Sequence, residues 1–171
     1  GTTLFDEAEK AGLTTAALLW PVTAQSRITY NLPEVWANRP WQHQLFVSFF
    51  NGSASYELDL FRRYGSMLDG IRQPMLDNFV QASLLRTFRG YRPDLTMAHL
   101  TDVDTTRHLY GVCSSQAMSA LRRQDLRLGG LLGLLNQMGL EKKTNIIVLG
   151  DHYQKDVSCV LYPNYYIVEK G

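Results

Sequence analysis

The sequence is poor in cysteine, in long apolar runs and in charge of one sign, and each shortage removes a class of protein. Cys113 and Cys159 are the two cysteines among 171 residues, too few for a small domain held by a disulfide framework. The longest apolar run, around Leu131 to Leu135, falls far short of the roughly 20 residues that cross a bilayer. No basic stretch followed by an apolar core stands at the N-terminus, so no secretory signal is visible in this stretch. Lys and Arg number 17 against 16 Asp and Glu, for a net charge of +1, and the basic residues are dispersed. That leaves no electrostatic footprint for nucleic acid or an anionic membrane. With neither signal nor span, the location stays open, with a leaning to the cytoplasm. Internal repeats and low-complexity linkers are also missing.

What is present fits a folded domain. A chain of 171 residues with 45% hydrophobic, 11% aromatic and 19% charged residues is long enough for one sizeable core and short for two. It starts on what reads as a helix and stops just after a strand-like run, the pattern of an internal piece of a longer enzyme.

Thr3 can cap a helix over Leu4 to Ala11, with Gly12 as its stop. Thr14 to Trp20 is nearly continuously apolar, the signature of a strand buried on both faces, and Pro21 ends it. Val22 to Arg39 reads as irregular. Trp41 to Phe50 fits a helix by its length, Ser53 resembles an N-cap for a helix from Ala54 to Tyr64 closed by Gly65, and residues 40–70 read as a helical insertion. Pro74 suits the first turn of a helix that runs to Arg89 and closes at Gly90. Asp94 to Leu100 reads as a strand, Thr101 to Cys113 as a loop, and Ser114 or Ser115 as the cap of a long helix. That helix keeps helical spacing at Met118, Leu121, Leu128, Leu131, Leu132, Leu135 and Met138, and ends at Gly139. Thr144 to Leu149 is predicted as the next strand, parallel to the previous one by a right-handed crossover, and Tyr165 to Val168 as one more.

Two short pairs carry the chemistry. Asp104 and His108 lie just past the strand ending at Leu100, and Asp151 and His152 just past the strand ending at Leu149. Carboxylate with imidazole suits zinc or manganese, and α/β sheets bind ligands beyond the carboxyl ends of their strands. Asp104 and His108, four apart, share a face if the loop takes a helical turn. Asp151 and His152 can reach one ion only where the backbone bends. The plain alternative is that the aspartates cap loops and the histidines are surface or packing residues. Asp102 is either a partner that orients a ligand or a solvated loop residue. His99 reads as a strand-face histidine, His43 as a loop residue, Asp125 as helix surface, and the cysteines as buried small hydrophobes rather than thiolate ligands. Tyr110, Tyr153, Trp20 and Tyr30 either line a groove or pack.

The segment from Leu100 to His108 followed by Tyr110-Gly111 resembles the Asp-x-x-x-His segment of the type I phosphodiesterase/nucleotide pyrophosphatase family, in the alkaline phosphatase superfamily. Ala120 to Gly129 is similar to the helix that follows it there, and Ile146 to His152 to the family's strand and Asp-His motif, with Tyr153 where glycine often stands. Thr3 to Pro21 resembles the helix and strand after the nucleophile region. The resemblance implies an α/β fold, a three-layer α/β/α sandwich with a mostly parallel sheet, of which residues 1–171 form one partial catalytic domain. It implies two divalent metals, usually zinc, absent or partly occupied in such a piece: one held by Asp104 and His108, the other by Asp151 and His152. Catalysis would start from a Thr or Ser outside this chain, attacking a small-molecule phosphodiester or nucleotide, followed by hydrolysis of the phospho-enzyme. The piece alone would be inactive. Other readings are another hydrolase or mutase of the superfamily, acting on phosphonate, sulfate or phosphosugar, or a non-catalytic α/β module.

Overall fold

The computed structural model describes residues 1–170, leaving aside the side chains of 166, 169 and 170. Strand β1, Thr15–Leu18, lies at the centre of a three-stranded sheet between β2, Tyr30–Leu32, and β3, Leu95–Ala98. Both neighbours run parallel to β1, and Leu18 stands opposite Leu32 on one side and Ala98 on the other. A central parallel strand is covered on both faces, so all four of its residues are buried and its sequence is nearly continuously apolar.

Alternation along β1 assigns the two faces. Ala16 and Leu18 meet Tyr56 and Leu60 of helix α3, Ala54–Tyr64, together with Phe79 and Val80 of helix α4, Met75–Gly90. Ala17 instead meets Phe5 of helix α1, Leu4–Lys10, and Ile28. Helices on both faces of a parallel sheet give the α/β/α layering. Each fully buried Leu or Phe in the larger cluster contributes about 1.5–3 kcal/mol by leaving water.

Local chemistry explains some helix ends. Thr3 and Asp6 form a capping box on α1, the Thr3 hydroxyl accepting from the Asp6 N–H at 3.2 Å and the Asp6 carboxylate accepting from the Thr3 N–H at 2.7 Å. Helix α2 covers Gln44–Asn51. Ser53 occupies the cap position of α3 but its hydroxyl does not cap; it accepts from the Asn31 N–H and donates to the Thr29 carbonyl, tying the helix start to β2. Past Tyr64 a short 3₁₀ turn, Gly65–Met67, continues the chain where Gly65 was expected to stop it. Helix α5, Asp102–Tyr110, is followed by α6, Ser115–Gln137, whose Ser114 cap accepts from the Ala117 N–H at 3.1 Å. Gly139 ends this region at φ 67°, a backbone conformation that glycine adopts without steric cost.

Four expectations need correction. The irregular 22–39 stretch contains β2, three residues that no apolar run announces. Thr101 to Cys113 is mostly the helix α5 rather than a loop, with Asp102 and Asp104 in its first turn, where carboxylates favour the helix dipole. Residues 144–149 do not join the sheet: Ile147 is 82% exposed, and no parallel unit forms across α6. An apolar run records a preference for burial; a strand also needs a neighbour within hydrogen-bonding reach. Tyr165 to Val168 lie in helix α7, Pro163–Lys170, instead of a strand. Proline at the first helical position, with its fixed φ, starts that helix.

Candidate metal centre

Helix α5 carries Asp104 and His108 one turn apart on the same face, and His108 Nε2 lies 3.4 Å from Asp104 Oδ1. The second pair arrives on the irregular segment after α6. His152 Nε2 lies 3.7 Å from the same Asp104 oxygen and 3.5 Å from Asp151 Oδ2. Asp104 Oδ1 also accepts from the Gln154 side-chain amide at 2.8 Å, and the Val112 N–H just past α5 donates to Asp156 at 2.9 Å. Gly111, at φ 93°, turns the chain sharply there, and a β-carbon on it would stand 3.4 Å from the Asp156 carboxylate. So residues separated by more than forty positions meet at one carboxylate.

These spacings bear on a metal. Donors 2.0–2.1 Å from a tetrahedral zinc sit about 3.4 Å from one another, which is close to the 3.4–3.7 Å separations found here. Two imidazoles and two carboxylates also match zinc by donor type. Pair by pair the residues fit a metal; as a group, no three or more His, Cys, Asp or Glu side chains among the described residues are already closed around one point. All four are open to solvent, from 41% exposed for Asp104 to 69% for His108.

Asp102 does not turn toward these groups. Two residues along a helix differ by about 200°, so it faces the interior from the opposite side of α5 and is fully buried. Arg123 of α6 grips it with Nε at 2.7 Å and Nη2 at 2.9 Å, and Arg127 Nη1 reaches it at 3.1 Å. Burial pushes the Asp102 carboxyl up, but hydrogen bonds and charge from Arg123 and Arg127 more than reverse this and hold it below the usual carboxylate range. Behind it, buried Asp77 accepts from the Thr101 and Asp102 N–H groups at 3.0 Å each, and from the side chains of Gln73 and Gln124 at 2.8 and 2.7 Å. Arg127 donates to Asn78 at 2.7 Å. Nothing in residue spacing announced this network; a buried Arg is rare enough that Arg127 reads as surface by default.

The other candidates go elsewhere. His99 Nδ1 lies 3.4 Å from Glu34 Oε2 just past β3. Tyr30 packs with Tyr56 and Tyr91, while Tyr110 and Tyr153 are exposed. Trp20 lines a recess of about 300 Å³ with Phe5 and Ile28. Both cysteines are exposed rather than buried. A shallow groove of about 340 Å³ between α5 and α6, lined by Thr106, Tyr110, Ser119 and Arg123 among others, holds none of the four predicted ligands.

The molecule is thus a parallel α/β unit with acidic and imidazole side chains gathered past its sheet. The whole chain, residues 1–171, matches Type I phosphodiesterase / nucleotide pyrophosphatase, and it belongs to that family. Venom phosphodiesterase 2 of Crotalus adamanteus is 37% identical over 71 residues, covering 42% of this chain and 9% of that protein. Ectonucleotide pyrophosphatase/phosphodiesterase family member 1 of Homo sapiens is 24% identical over 162 residues, covering 95% of this chain and 14% of that protein. The chain thus spans a small share of the relatives it matches. No solved structure matches it. None of the described helices is long and apolar enough to cross a membrane. One relative is named for venom and the other as an ectonucleotide enzyme, so the leaning to the cytoplasm finds no support among them.

Proposed function

We propose that this chain supplies metal-binding residues to the catalytic centre of a phosphodiesterase/nucleotide pyrophosphatase that hydrolyses phosphodiester or pyrophosphate bonds in small, nucleotide-like molecules. The observation that carries the reading is the meeting of His108 and His152 at the Asp104 carboxylate, within 3.4 and 3.7 Å. Asp104 and His108 would hold one divalent ion and Asp151 and His152 a second, with zinc the metal that the donor set suits best. Bound there, such ions neutralise phosphate oxygens and lower the pKa of a coordinated hydroxyl. The chain's own part is to present these donors: α5 holds one pair at a one-turn spacing, and Gln154 orients the Asp104 oxygen as a hydrogen-bonding neighbour. The nucleophilic Thr or Ser is contributed from outside these 171 residues, which alone would turn over negligible substrate.

The test uses the full-length protein purified without chelator. It should contain transition metal and hydrolyse a nitrophenyl phosphodiester, and Asp151→Ala should remove most of that activity. A metal-free protein whose hydrolysis is unchanged by Asp151→Ala would contradict the proposal. Faster turnover of a sulfate or phosphonate ester than of the diester would move the enzyme to another branch of the superfamily.

A further inference from the structure

We propose that Arg123 and Arg127 are positioning residues for the metal-binding face of α5, acting through Asp102. The inference rests on the reading of Asp104 and His108 as ligands. The buried residues of α5 are Asp102 and Thr106, both polar; Leu109 and Tyr110 are exposed. A helix normally gains its orientation from an apolar stripe laid on the core, and α5 has none. Its inner face is set instead by hydrogen bonds with defined directions.

Those bonds fix the helix in rotation and along its axis. The Arg123 fork meets both Asp102 oxygens at 2.7 and 2.9 Å, a two-point contact that resists turning. Thr106, one turn on, donates to the same carboxylate at 3.3 Å. Asp77 takes the Thr101 and Asp102 N–H groups, so the start of α5 is pinned to α4. Arg127, 6% exposed, joins the two carboxylates and extends to the Pro74 carbonyl and Asn78 on the α4 side. Buried ion networks of this kind often add little stability over an apolar core of equal shape. What they supply here is direction. Because Asp104 and His108 lie on the face opposite Asp102, any rotation of α5 moves both donors together away from His152 and Asp151.

Zinc affinity of the full-length protein, read by competition with a chromogenic chelator beside thermal unfolding, tests this. Arg123→Met should weaken zinc binding by roughly 10–100-fold, the range seen when groups supporting metal ligands are lost. Arg123→Lys, which keeps the charge but not the fork, should fall between and serves if the methionine variant does not fold. Val80→Ala, an apolar core change in α4 that removes no hydrogen bond of this network, should lower the melting temperature and leave zinc affinity unchanged. Equal zinc affinity in the wild type and both Arg123 variants would overturn the positioning role. So would an equal loss in Val80→Ala, since general destabilisation would then account for it. A wild-type protein that takes up no zinc would instead overturn the ligand reading itself, and this proposal with it.

Discussion

The two proposed ligand pairs, Asp104 with His108 and Asp151 with His152, meet at the Asp104 carboxylate from supports of opposite character. Asp104 and His108 stand on a helix whose inner face is locked by Asp102, Arg123, Arg127 and Asp77, with Asp102 and Asp77 at 0–1% exposure. Asp151 and His152 stand on an irregular, exposed segment joined by one hydrogen bond from Gln154 to α5 and by one to Asp156 from Val112 just past it. The same donor chemistry is therefore rigid on one side and adaptable on the other. Directional bonds among buried charges fix a position closely, because leaving any one unmade is expensive. Bonds exposed to water are exchanged for bonds to water at little cost. We read the helix pair as the fixed reference of the centre and the Asp-His pair as the part that adjusts to it.

The contrast can be broken from the buried side first. Asp102→Ala leaves buried Arg127 with Asp77, 3.7 Å away, as its remaining carboxylate and should destabilise the protein by up to about 3–5 kcal/mol, measured by denaturant unfolding. A loss under about 1 kcal/mol would mean that the network is no firmer than a surface pair.

A third buried carboxylate sharpens the point, because no cation pairs with it among the described residues. Glu57 of α3 is fully buried, and neither oxygen makes a hydrogen bond of good geometry. Burial pushes its carboxyl from the ordinary 4.5 up to about 7, with Ser48 on α2 lowering it only a little. A raised value favours the protonated form in the folded state. Stability is therefore fully present below about pH 4.5 and declines through about pH 7, by on the order of 3 kcal/mol. Asp102, held below its usual range, has the opposite sign: its contribution is lost as pH falls. Unfolding measured at pH 5 and pH 8 should show Glu57→Gln gaining relative stability at the higher pH; an identical pH dependence in wild type and variant would refute the assignment.

On the exposed side the effects shrink. Gln154→Ala and Asp156→Ala should each change global stability by less than about 1 kcal/mol. Both should nonetheless speed proteolytic cleavage between residues 144 and 162, since they remove the bonds that hold this segment on α5. Unchanged cleavage rates would show that the segment is held by something else.

The sequence made the first support half legible and the second barely. The apolar run of β1 and the Thr3 cap follow local rules, and the structure agrees with them; the helical spacing announces α6 but not its inner face, since Met118, Leu121 and Leu132 are exposed while Ala117, Ala120, Arg127 and Leu134 are buried. The Asp104–His108 spacing was readable as a shared face if the loop turned helical, which it does. The clamp beneath it was not, since Asp77, Asp102 and Arg127 are charged residues far apart in sequence whose burial depends wholly on tertiary pairing. At 144–149 the run of Ile, Val and Leu expressed a real preference for burial, but pairing is a property of two strands and cannot be read from one. The 165–168 stretch failed similarly, with β-branched and aromatic residues placed in a helix that Pro163 begins.

The account depends most on Asp104 as the carboxylate at which the two pairs meet, and zinc titration of the full-length protein with Asp104→Ala tests its part as a ligand directly. We expect the substitution to weaken zinc binding at one of the two proposed sites by at least about 100-fold, and His152→Ala made in that background to weaken the remaining one. Zinc binding unchanged by Asp104→Ala would contradict the account, as would zinc binding in that background that His152→Ala leaves intact.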